Sequence, residues 1–208
     1  MIVEPMILLA FIPAALALNL TPGADMMFCM GQGLHSGPWQ AVAGSAGISL
    51  GGMVHVTLAG LGLSAVIAST PWVFDVIRWV GILYLLWLAW TSLRPQTAQT
   101  AEAYKHGIQR AFLRGFAVNL TNPKVILFTL AFVPQFVQAE RGQILAQFLV
   151  FGGILGVGGF VINGGVGLLA GVLGRKLSTN GRFTKTLGWI SAGIFTALAL
   201  RLAVGQKG

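Results

Sequence analysis

This sequence predicts an all-α membrane protein: six transmembrane helices in a 3+3 inverted repeat, with the first and fourth helices broken. Three observations lead there. Of 208 residues, 13 are Lys or Arg and 5 are Asp or Glu, so only 9% are charged, against roughly 25% in soluble domains. That is too little to cover a solvated surface. No Asp, Glu, Lys or Arg stands between Asp25 and Asp75, or between Arg141 and Arg175, whereas a bilayer span needs only about 20 apolar residues. An amide, a threonine and a proline also recur inside an apolar segment at the start of each half, in Asn19-Leu20-Thr21-Pro22-Gly23 and in Asn119-Leu120-Thr121-Asn122-Pro123-Lys124.

Six apolar segments follow one another, roughly 5–34, 40–68, 72–93, 110–136, 143–174 and 184–204, separated by Gly/Pro/Ser punctuation or charge clusters. Helices are the element to expect, because open sheet edges cannot be satisfied in lipid and no ten-residue alternation marks a barrel. The start of the first segment resembles a signal peptide, but Glu4 stands where a basic region belongs, so it is read as retained structure. The second segment is rich in glycine (Gly44, Gly47, Gly51, Gly52) and carries His55 between Val54 and Val56. The third holds Gly81-Ile82, then Tyr84, Trp87 and Trp90 as packing or interfacial-belt residues. The fifth repeats the glycine pattern (Gly152, Gly153, Gly156, Gly158, Gly159) around Asn163, read as interhelical glue, and the sixth repeats the pair as Gly193-Ile194. At about 30 residues, or about 45 Å, the second and fifth must tilt, kink or protrude from a ~30 Å core. The halves 1–103 and 104–208 thus read as two three-helix repeats of one membrane domain, and their glycine faces would permit a homodimer.

Orientation follows from the basic residues. Arg94, Lys105, Arg110 and Arg114 gather between the third and fourth segments, and Arg175, Lys176, Arg182 and Lys185 between the fifth and sixth. The positive-inside rule puts both loops in the cytoplasm and both termini outside. With three spans per half, the second half enters the bilayer from the opposite side, an architecture found in secondary transporters with midplane sites between discontinuous helices. The net charge of +8 therefore has a topological meaning. No aromatic-interleaved basic stripe suggests a nucleic-acid partner.

Each proline has a definite consequence. Pro22 offers no N–H to the carbonyl of Leu18, and Pro123 none to that of Asn119, so each frees a carbonyl at membrane depth. Such backbone is tolerated only against protein, water or ligand. Thr21 and Asn122 are expected as N-caps of the helices that restart there, with proline at the first helical position. Cys29 is the sole cysteine, which excludes an intrachain disulfide, and no metal-binding or redox spacing is present, so neither metal nor other cofactor is expected. His35, His55 and His106 sit in unrelated contexts without a partnered nucleophile, so the chain does not read as an enzyme.

Asn19-Leu20-Thr21-Pro22-Gly23 followed by Asp25, Gly81-x-x-Tyr84-Leu85, Asn119-Leu120-Thr121-Asn122-Pro123-Lys124 and Pro134-Gln135-Phe136-Val137 resemble, over essentially the whole chain, the LysE/RhtB family of bacterial amino-acid exporters. The resemblance implies a protein of the bacterial cytoplasmic membrane that exports amino acids or close derivatives, coupled to the proton gradient. It also brings Tyr84 and Gln135 into the candidate substrate site. Ala24 departs from the second proline the family usually shows after Pro-Gly.

Among the candidate residues, Lys124 has only the uncharged stretch 125–139 after it, too short for a full span, which places it in the interior rather than snorkelling at an interface. A lysine at a helix N-terminus opposes the dipole, so an anion should compensate it, either a substrate carboxylate or Asp25. Asp25 reads as first-turn helix decoration or as a proton or ammonium site, and His55 as a core histidine or a proton relay. Asn19, Thr21, Pro22 and Gly23 from the first break, with Asn119, Thr121, Asn122 and Pro123 from the second, complete the candidate substrate site. The leading reading is a proton-coupled exporter of a small zwitterion; a passive channel for zwitterions is the competitor.

Overall fold

The computed structural model describes residues 2–67, 73–94, 107–173 and 181–204. Among the described residues the regular elements are all helical: α1 (Pro5–Leu20), α2 (Ala24–His35), α3 (Pro38–Ile67), α4 (Val73–Ser92), α5 (Ile108–Leu120), α6 (Pro123–Leu127), α7 (Ile144–Leu173) and α8 (Gly181–Val204). α6 runs on through a π turn, Phe128–Phe132, and a 3-10 turn, Val133–Phe136. The apolar segments of the sequence correspond to these helices to within a few residues. Lys105, Arg175, Lys176 and the boundary at 103/104 lie outside the described residues.

Two helices, α3 over Pro38–Leu63 and α7, are each long and apolar enough to cross a membrane. α1 with α2, and α5 with α6 through Phe136, meet the same test as pairs, each bent by 52° at its break. α4 and α8 supply shorter apolar stretches, Trp79–Ser92 and Lys185–Leu200. By length and composition the described residues thus give two to four full crossings where the sequence predicts six. The outward faces are apolar: Leu9, Ile12 and Leu16 on α1, Leu58 and Leu61 on α3, Leu83, Trp87 and Trp90 on α4, and Val157 and Val161 on α7 are all exposed. A surface of this kind suits lipid rather than water. The chain is a multi-pass membrane protein.

The two breaks differ in detail. At the second, Asn122 caps α6 as expected: its Oδ1 accepts from Lys124 N at 3.0 Å, and Pro123 takes the first helical position. At the first, the expectation that Thr21 is an N-cap is corrected. Its hydroxyl donates back to Ala17 O at 2.6 Å and closes α1, while α2 begins only at Ala24 behind an N-cap at Gly23. The backbone is extended at Thr21 and again at Gly23, which carries the first α2 amides away from the hydroxyl. Further along, Pro134 has no N–H for Leu130 O, and the preceding Val133 N–H reaches Phe128 O, five residues back. The helix widens into its π turn at that point, as π bulges do near functional sites.

Packing around the breaks rests on glycine and phenylalanine. Phe11 of α1, Phe136 of the 3-10 turn and Phe151 of α7 meet with ring centroids 4.7–6.1 Å apart, locking the second broken segment against both helices. α5 lies directly on α3. A methyl group at Gly47 would fall onto the Phe112 carbonyl, and one at Gly115 onto the Gly44 carbonyl. Gly47→Ala is therefore expected to force α3 and α5 apart at a cost of about 1–3 kcal/mol. Thermal unfolding in detergent should show a lower midpoint, whereas Gly62→Ala, whose methyl meets nothing within 4 Å, should leave it unchanged or slightly raised.

Candidate functional site

The carbonyls that proline deprives of their usual helical donor both meet distant side chains, and Asn119 O also accepts locally from Asn122 N at 3.0 Å. Leu18 O accepts from Lys124 Nζ at 3.0 Å, and the same ammonium donates to Thr21 O at 3.0 Å. Asn119 O accepts from His55 Nε2 at 3.2 Å, which requires the proton on that nitrogen. Lys124, from the second half, thus closes the break in the first, and His55, from the first half, adds a second donor at the break in the other. Gly23 leaves room for this: a Cβ there would stand 3.3 Å from Lys124 Nζ. The Tyr84 hydroxyl donates to Lys124 O at 2.6 Å, so the lysine is held through its backbone as well as its side chain.

The two asparagines are seated in matching fashion. Asn119 lies against Gly51 of α3, where a Cβ would come within 2.9 Å of its Oδ1, and its Nδ2 donates to Asp25 Oδ2 at 3.0 Å. Asn19 lies against Gly158 and Gly159 of α7, and its Nδ2 donates to Leu155 O at 3.2 Å. Any larger residue at these glycines would displace the amides. The glycine stripes, legible in the sequence as packing faces, therefore also position polar groups.

Between the breaks lies an open cleft with about 520 Å³ of empty space, solvent at its mouth included. Asn19, Asp25, Asn119 and Lys124 line its polar side, Ile48, Val56, Val125 and Leu155 an apolar side, and Gly52, Gly152, Gly156 and Gly159 the walls between. Asp25 and Lys124 do not pair; among the described residues the ion pair within 4.0 Å joins Arg141 to Glu4. Asp25 Oδ1 and Asn119 Oδ1 are buried without a hydrogen-bond partner, and the Lys124 ammonium has given two of its three protons. The cavity therefore presents acceptors and a cationic donor with capacity left over.

Of the residues expected from the sequence, Asn19, Asn119, Lys124 and Asp25 line this cavity. Thr21, Pro22, Gly23, Thr121, Asn122 and Pro123 shape the breaks without lining it, and His55 stands behind Asn119. Tyr84 acts through the Lys124 carbonyl, and Gln135 Nε2 donates within its own turn to Ala131 O at 3.3 Å. Asn163, expected as glue, lines the cavity, as do Ser49 and Thr129, which the sequence did not single out. A serine and a threonine in apolar helices carry no pattern that separates them from other small packing residues.

The family model for LysE type translocators matches residues 16–206. The chain belongs to this family. Among similar proteins, an uncharacterized membrane protein of Vibrio cholerae is 31% identical over 85% of this chain and 87% of its own length. A homoserine/homoserine lactone efflux protein of Salmonella typhimurium is 35% identical over 69% of this chain and 70% of its own. A leucine efflux protein of an Enterobacter species is 28% identical over 93% of each. No solved structure matches the chain. In this LysE type translocator the matched region includes both breaks and every residue of the polar side of the cavity.

Proposed function

We propose that this protein is a secondary transporter that exports an amino acid or close derivative from the cytoplasm by proton antiport, across the bacterial inner membrane and with both termini outside. One observation carries the reading: the cavity between the breaks holds a buried carboxylate and an ammonium that make no direct ion pair. A zwitterion would complete both. Its carboxylate would take the remaining Lys124 proton, and its ammonium would meet Asp25 Oδ1 and Asn119 Oδ1. The translocator family and the efflux proteins among its relatives support an amino-acid cargo.

The 3+3 inverted repeat is part of the same proposal. It is supported by two breaks of equal bend, and by the exchange of Lys124 and His55 between the freed carbonyls. Basic residues concentrated at 94–114 and 175–185 support the orientation. Asp25 supplies a titratable group at the cavity for coupling. The test is a panel of radiolabelled amino acids in proteoliposomes with and without an imposed proton gradient. At least one should be moved uphill when the gradient is present; downhill movement alone for every substrate would leave a passive channel.

A further inference from the structure

Asp25, Cys29, Gln32 and Ser36 occupy positions i, i+4, i+7 and i+11 from the start of α2, so they share one face of the helix and extend over about 16 Å. Gln32 is fully buried, yet neither its Nε2 nor its Oε1 has a partner, and Ser36 Oγ and Asp25 Oδ1 are likewise buried and unpaired. The contrast is Gln147, the other fully buried glutamine among the described residues, whose amide makes three hydrogen bonds to the chain at 2.8–2.9 Å. Beside Cys29 stands the Ser45 hydroxyl of α3, itself bonded to Phe160 O at 3.0 Å. α7 seals another side of α2: a methyl at Gly33 would fall onto the Gly167 carbonyl. Buried polar groups left over by the protein in this way are ordinarily satisfied by ordered water.

We propose that this face of α2 frames a hydrogen-bonded file of water that carries protons between Asp25 and the turn joining α2 to α3. The inference rests on the antiport reading and adds to it the route by which the coupling proton leaves the cavity. In each cycle the protonated Asp25 side chain gives its proton to the nearest water and is left as a carboxylate. Each water passes one proton on, and one proton is released at Ser36. Gln32 remains neutral throughout and orients the water with its donor and acceptor. The carbonyl end of α2 at the mouth favours the departing positive charge.

The test uses the full chain in proteoliposomes with a pH-sensitive dye inside. Exchange of labelled for unlabelled substrate needs no net proton movement, whereas export driven by a proton gradient does. Gln32→Leu should lower gradient-driven export and substrate-dependent proton flux by about tenfold or more while exchange stays within about twofold of the parent, and the small polar Gln32→Ser should restore the flux. Full coupling in Gln32→Leu overturns the file. Loss of exchange in both variants also overturns it, because Gln32 is then a packing residue. If the parent itself moves no protons with substrate, the antiport reading fails, a result independent of any Gln32 variant.

Discussion

Replacing Lys124 by Met is expected to weaken substrate binding by roughly ten- to a hundredfold, because a charge-assisted hydrogen bond to a carboxylate contributes about 1.5–3 kcal/mol. Stability should fall as well, since the same ammonium serves Leu18 O and Thr21 O and its loss leaves two carbonyls of the first break without that donor. Affinity alone thus does not separate a binding lysine from a structural one. The ratio between an amino acid and its uncharged amide analogue does. The parent should strongly prefer the acid, and Lys124→Met should bind the two equally. If the variant keeps the full preference for the acid, the carboxylate contacts another group and Lys124 is only the stitch across the break. Lys124 and Asp25 make no direct ion pair within 4.0 Å. The direct partners of the ammonium are the two backbone carbonyls Leu18 O and Thr21 O.

The second large effect is expected at Asp25. Asp25→Asn keeps the side-chain shape and an oxygen for the Asn119 Nδ2 bond, and removes the charge. Exchange of substrate across the membrane should persist at weaker affinity, because Asn119 Oδ1 still faces the ammonium, while accumulation driven by a proton gradient should fall to nothing, leaving equal concentrations on both sides. Proteoliposomes loaded with labelled substrate at two internal pH values would measure this directly. Uphill transport by Asp25→Asn at the parent level would clear Asp25 of the coupling role. His55 would be the next group to test, because its ring is one hydrogen bond from Asn119 and hence two from Asp25.

Much of this arrangement is legible in the residues, for identifiable reasons. The absence of charge over long stretches and the lack of any strand pattern leave helices in lipid as the outcome, since backbone groups there must be paired within the segment. A proline has no N–H wherever the chain goes, so the loss of the usual i+4 donor at Leu18 O and Asn119 O follows from covalent structure; Asn119 O takes the Asn122 N–H instead. Asn122 as a cap is equally local: the asparagine, the proline and the amide that it accepts lie within three residues. The same rule makes Thr21 a cap, yet Thr21 behaves otherwise, because its hydroxyl has a choice between the helix behind and the helix ahead. Only the extended backbone through Gly23 settles that choice.

A helical membrane chain and the positions of its two breaks are consequences of local composition and of the atom that proline lacks. Which side chain answers each break depends on how distant helices pack. Lys124 lies 106 positions from Leu18 and His55 lies 64 from Asn119, and no local periodicity encodes a partner so far away. The same holds for Asn19 seated on Gly158 and for Asn119 seated on Gly51. A glycine in a helix is locally a weak residue, and its value appears only when another helix comes close enough to use the space that a side chain would have filled.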